Sequence, residues 1–218
     1  MSAGPTAPEG HPHHWRPWPT TWSRGAYLAL CLTGVILLSL LYWQRFSHIR
    51  NRVLDFTSLV AGGYLIGTPE LYDVDANLDL QQRLVGQTDS ARSFPRLPHV
   101  GLLMRPFALI PYRRSVLVWG VLMTGCLLLF VCIFPGAPKR LSLLAACWSI
   151  PAFDALGQVQ DSPLILVYLA LLFASLRRGH HFIAGLFLAL CLQKYHLFLA
   201  VPLLLLLKRE WKVLAGGC

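Results

Sequence analysis

Four places along the chain combine residue types that can do chemistry. Asp55 sits in Val53-Leu54-Asp55-Phe56, a carboxylate walled by apolar neighbours shortly after a long uncharged run. A carboxylate so placed suits a general base acting on an alcohol. Gly157-Gln158 lies between two apolar stretches, with Asp154 and Asp161 on either side. The glycine permits a tight turn or the close approach of a ligand. Gln158 can donate hydrogen bonds to sugar hydroxyls and accept them. Lys194 and His196 lie between two Leu-rich runs, where a cation can hold a lipid phosphate as a point charge. Arg92, Arg96 and Arg105 can neutralise a phosphate too. Each feature also has a plain structural reading: a solvated acid or helix cap, a polar turn, a snorkelling lysine, head-group anchors.

The composition says what kind of scaffold must position these residues. Of 218 residues, 55% are apolar and only 13% are charged. A soluble domain carries roughly 25% charged residues, so there is too little charge here to cover a surface facing water. The same apolar content excludes a disordered chain. An integral membrane protein is the class that remains. Lys and Arg number 19 against 10 Asp and Glu, a net charge of +9. In so apolar a chain that excess points to lipid head groups and lipid phosphates. Nucleic acid is not expected as a partner, because no basic stripe interleaved with aromatics is present. Five of the six cysteines, all but Cys218, lie in apolar runs and behave as small hydrophobes. Neither a zinc spacing nor a disulfide framework is signalled. His11, His13 and His14 fall in a segment rich in Pro, Trp and Thr, with no rigid support for a metal, so no metal site is expected.

Residues 1–24 read as an irregular cytoplasmic tail. Residues 25–44 contain no charge. At ~1.5 Å per residue they span a ~30 Å hydrocarbon core, which predicts a first transmembrane helix. Residues 45–114 hold six of the ten acids and read as a long non-cytoplasmic loop with short interfacial helices. Gly62-Gly63, Gly67-Thr68-Pro69, Pro95 and Pro98 punctuate it. About five further membrane segments are expected over 115–218. The first is 115–134. The apolar pieces 141–153, 162–176, 182–193 and 195–207 follow, each short for a span. Basic clusters at Lys139-Arg140, Arg177-Arg178 and Lys208-Arg209-Lys212 alternate with polar turns at 154–161 and 193–196. Placing every basic cluster on the cytoplasmic side requires the chain to reverse at each polar turn. The rival, a single helix over 182–207, leaves Lys194 bare in lipid. The reversing topology gathers Asp55, the 154–161 turn and Lys194 on one non-cytoplasmic face.

The order of these motifs resembles a known family. Asp55-Phe56, Ala61-Gly62, Gly67 and Leu71-Tyr72-Asp73 are similar to the first-loop signature of glycosyltransferase family 87. The resemblance continues through Pro106-Phe107, Ile110-Pro111-Tyr112, Trp119, Gly157-Gln158, Arg177-Arg178-Gly179, Ala184-Gly185-Leu186, Lys194 and Arg209 with Trp211. It implies an all-α polytopic membrane protein of the C-type glycosyltransferase kind, a transmembrane bundle represented here by its N-terminal half. It implies transfer of a sugar, mannose first, from a polyprenyl-phosphate carrier to a lipid or glycan acceptor on the non-cytoplasmic face. A bacterial plasma membrane is the expected location. Asp55 matches the family's catalytic carboxylate, which the resemblance implies to be the base that deprotonates the acceptor hydroxyl. Lys194, His196, Gln158, Arg96 and Arg105 are the candidates for donor-phosphate or substrate binding. No cofactor is implied, the lipid-linked sugar being a substrate. The competing classes are a lipid or solute transporter, a flippase among them, and an inactive membrane fragment.

Overall fold

The computed structural model of the chain describes residues 23–47, 55–86 and 93–217. The expected tail up to residue 22, with His11, His13 and His14, lies outside them, as do Arg50, Arg52, Val53, Leu54, Asp89 and Arg92. The described residues form helices and turns with no strand. Three helical stretches among them are long and apolar enough to cross a membrane: Arg24–Leu41, Tyr112–Ile133 and His181–Phe198. The protein is an all-α polytopic membrane protein.

Helix α1 (Arg24–Ser47) turns Leu28, Leu32, Ile36 and Leu40 outward in steps of four. A leucine stripe left uncovered is unfavourable in water but costs nothing against lipid tails. On its other side α1 is tied to a later helix, α6 (Lys139–Cys147). The Tyr27 hydroxyl donates to the Arg140 carbonyl at 2.9 Å, and Trp148 Nε1 donates to the Leu30 carbonyl at 3.1 Å.

Helix α2 (Asp55–Leu65) is buried from Phe56 through Gly63. Gly62-Gly63 is therefore not loop punctuation but the middle of a helix. A Cβ on Gly63 would come within 2.7 Å of the Met104 carbonyl oxygen, and one on Gly62 within 2.3 Å of the Phe94 ring. Gly63 lets α2 lie against α4 (Pro98–Ala108) at a distance that a side chain would forbid, and Gly62 makes room for the Phe94 ring that precedes α4. Between α2 and α4 in sequence, α3 (Val74–Val85) is capped by Asp73, which accepts from the Ala76 amide at 2.8 Å. Helix α5 (Tyr112–Ile133) closes the core against α2 and α4. Phe56 stacks on Trp119 at 6.0 Å, and Phe107 meets the same indole edge-on at 5.0 Å. Burying one such ring contributes about 1.5–3 kcal/mol, so the anchor next to Asp55 is firm.

The apolar piece at 141–153 forms two helices, α6 and α7 (Ile150–Gly157), broken at Trp148-Ser149. Ser149 caps α7 by accepting from the Ala152 amide at 3.2 Å. Helices α8 (Ser162–Arg177) and α9 (His181–Cys191) form a hairpin through Gly179, whose φ of +76° is the glycine conformation such a turn needs. A 3-10 turn, Leu192–Lys194, ends α9, and α10 (Tyr195–Phe198) follows. The chain then reverses. Phe198, with Val201 and Leu205 of α11 (Val201–Leu207), packs back onto Leu172 and Leu188. Beyond α11, Glu210 lies 3.7 Å from His181 at the start of α9. One helix over 182–207 does not form. Lys194 thus shares an end of the bundle with the start of α8, while Glu210 marks the opposite end. Finally α12 (Trp211–Gly217) crosses α9, with Gly185 and Gly216 at the contact.

The close approach of α2 and α4 gives a direct test. Gly63→Ala should lower the melting temperature of the lipid-embedded protein, at a cost of about 1–3 kcal/mol for overpacking. Gly125→Ala, where an added Cβ meets nothing within 4 Å, should be neutral or stabilising. Equal behaviour of the two variants would contradict the packing described.

Candidate active site

Asp55 opens α2, with Phe56 locked in the aromatic core beside it. A carboxylate in the first turn of a helix is favoured by the partial positive charge there. One partner comes from a turn 105 residues on. Gln160 Nε2 donates to Asp55 Oδ2 at 2.6 Å.

That turn has a specific local cause. Helix α7 ends in a Schellman motif: the Gln160 amide donates to the Ala155 carbonyl at 2.7 Å and the Val159 amide to the Leu156 carbonyl at 3.1 Å. The residue between must take a left-handed conformation, and here it is Val159, at φ +55°. A β-branched residue there is strained by about 1–3 kcal/mol. Val159 is buried in the core with Phe56 and Trp119, and that packing holds it in place. The turn swings Gln160, Asp161 and Ser162 towards Asp55 and leads into α8.

Asp161 is 2% exposed and carries two cations. Arg96 grips it with both sides of its fork, Nε to Oδ2 at 3.1 Å and Nη2 to Oδ1 at 3.3 Å. Lys194 Nζ stands 3.1 Å from Oδ1. Arg96 is itself steadied from behind, because its carbonyl accepts from the Tyr72 hydroxyl at 3.1 Å and Phe94 two residues earlier is buried. Lys194 also donates to Ser162 Oγ at 2.6 Å, and Ser162 Oγ donates to Gln160 Oε1 at 3.1 Å. Five side chains from three separate stretches of chain therefore join Asp55 in one polar cluster. Asp161 and Lys194 are buried within it, and Asp55, Gln160 and Ser162 are half-buried.

Of the residues singled out from sequence, the structure brings Asp55, Arg96 and Lys194 together. Gln158 caps the end of α7 through its backbone amide, and its side chain makes no hydrogen bond to the cluster. His196 is exposed on α10 beside the Tyr195 ring, and Arg105 is exposed on α4. Gln160 and Ser162 were not singled out. Asp161 was seen only as a flank of the turn. Two cations near apolar segments require a buried acid, and Asp161 is the acid nearest the polar run that could have answered that need.

An all-helical membrane bundle with a carboxylate and two paired cations at one end is the class of protein defined so far. Residues 98–218 match the family model of glycosyltransferase family 87. More than half the chain is covered, and the chain belongs to that family: it is a membrane glycosyltransferase. The matched stretch contains Gln160, Asp161, Ser162 and Lys194, while Asp55 and Arg96 precede it. No curated protein and no solved structure matches the chain.

The burial of Asp161 makes a prediction. Asp161→Asn leaves two cations facing no anion. The expected loss is about 3–5 kcal/mol, roughly 6–20 °C in melting temperature for a chain of this size. Asp79→Asn removes the acid from the exposed Arg83–Asp79 pair and should change stability by about 0–1 kcal/mol. Similar melting shifts for both would show that Asp161 is not clamped as described.

Proposed function

We propose that the chain transfers a sugar, mannose first among candidates, from a polyprenyl-phosphate carrier to a hydroxyl of a lipid or glycan acceptor. In this reading Asp55 is the general base, and the reaction lies on the non-cytoplasmic face of a bacterial plasma membrane. The observation that carries it is the placement of Asp55 and the paired cations Arg96 and Lys194 in one network at one end of the bundle.

The chemistry follows from that placement. Asp55 takes the proton of the acceptor hydroxyl as its oxygen attacks the anomeric carbon. The bond between that carbon and the phosphate oxygen breaks, inverting the centre and leaving a lipid phosphate. Negative charge grows on the departing phosphate, so preorganised cations there act on the transition state more than on the bound donor. Asp161 offsets one of the two positive charges and keeps both side chains aimed. Arg96, Lys194 and Asp161 together carry +1 on the donor side, which complements the single negative charge of a phosphodiester, and Asp55 on the acceptor side brings the whole network to neutral. An ammonium has three donors. Asp161 and Ser162 take two of the Lys194 donors, which leaves a third for phosphate. Membrane lipids surround the site, and the reading calls on no nucleotide, no metal and no nucleic acid. Gln158, His196 and Arg105 lie outside the network, and any role for them is contact with more distant parts of a substrate.

The test is a transfer assay on the purified protein in lipid with radiolabelled polyprenyl-phosphate-mannose and a mixed glycolipid pool. Wild type should move label to the pool. Asp55→Asn should lose about 10²–10⁴-fold in rate, the usual worth of a general base, while inserting normally. Undiminished transfer by Asp55→Asn would overturn the assignment of the base. Retained binding without turnover in wild type would favour the transporter or flippase class.

A further inference from the structure

The hydrogen bonds between Lys194 and Asp55 have only one consistent direction. Lys194 can only donate, so Ser162 Oγ must accept from it. The Ser162 hydrogen is then free to donate, and the acceptor within reach is Gln160 Oε1. This fixes the Gln160 amide, whose Nε2 is turned to the Asp55 carboxylate. A carboxylate accepts that hydrogen bond, so both ends of the amide agree on its orientation. The result is a chain of donors pointing one way, from a cation through a hydroxyl and an amide to an anion. Chains aligned in this manner strengthen each link by polarisation in a low-dielectric setting.

We propose that Gln160 and Ser162 are positioning residues that couple the lysine on the donor side to the carboxylate on the acceptor side. The proposal deepens the reading of the site given above and rests on it for its catalytic consequence. The relay fixes the Asp55 carboxylate relative to the point where the phosphate is held. Neither relay residue needs to touch the reacting atoms. Among the described residues the hydrogen-bonded route from Ser162 to Asp55 runs through the Gln160 side chain, so removing that amide should remove the energetic link it carries.

A double-mutant cycle in lipid reads the link without any substrate. Asp55→Asn and Ser162→Ala together should lower the melting temperature by about 2 °C less than the sum of the single losses. The shortfall should vanish when Gln160→Ala is introduced into every member of the cycle. Ser162→Thr, which keeps the hydroxyl, should cost little alone and show no shortfall when combined with Asp55→Asn. Additive losses, or a shortfall that survives Gln160→Ala, would overturn the relay. Kinetics with the lipid-linked donor supply the second arm. Gln160→Ala should lower kcat by roughly tenfold to a hundredfold, as small misplacements of catalytic groups do, with donor KM little changed. An unchanged kcat would overturn the positioning role. If wild type transfers no sugar, the proposed donor is wrong, and the melting cycle still decides the relay.

Discussion

A carboxylate taken out of water must be met by charge and hydrogen bonds, because leaving it alone costs several kcal/mol. Asp161 is such a carboxylate, and the rest of the polar architecture is organised around meeting it. Arg96 arrives from the segment before α4, Lys194 from the end of α9, and both lie almost wholly buried against it. These segments are separated by 65 and 33 residues of chain from Asp161, so the ion cluster ties the first part of the protein to the last. Breaking it would leave two desolvated cations, so the arrangement is not a passive surface feature.

The apolar scaffold exists to deliver those groups to one place. Gly63 brings α2 against α4, Gly62 admits the Phe94 ring, and Phe56 packs on Trp119, so the start of α2 is fixed to within the tolerance of a packed core. The hairpin of α8 and α9 sets Lys194 beside Ser162, and the reversal through α10 and α11 keeps the following basic cluster at the opposite end. A bilayer accepts the remaining leucine-rich surface without penalty. It does not accept isolated charge, and among the described residues the buried charges, Asp161 and Lys194, share one cluster.

Much of this was legible in the residues. Uncharged runs announce α1 and α5. The alternation of basic clusters with polar turns requires the reversal after Lys194, since the alternative places a lone ammonium in lipid. Asp55, Arg96 and Lys194 stand out because ionisable groups are scarce in so apolar a chain. Other features could not be read. Gly62-Gly63 looks like loop punctuation, since sequence alone does not reveal a neighbouring helix close enough to need the missing side chains. Gln158 stands out in the sequence because it follows a glycine, the residue expected at a turn, and nothing in the sequence marks Gln160. The chain turns instead at Val159, a residue that rarely adopts a left-handed conformation. Its place in the aromatic core is a tertiary fact, and a shift of two residues in the turn decides which glutamine faces Asp55.

The most direct test asks where the donor phosphate rests. The chain has four lysines, Lys139, Lys194, Lys208 and Lys212, so their side-chain nitrogens can be labelled and told apart. Solid-state magnetic resonance on protein in phosphorus-free detergent, loaded with a polyprenyl-phosphate sugar, reports contact between ¹⁵N and ³¹P. One lysine signal should be dephased by phosphorus, and that signal should disappear in Lys194→Gln. Dephasing that persists in the variant, or a bound donor that dephases no lysine, would contradict a phosphate held at Lys194.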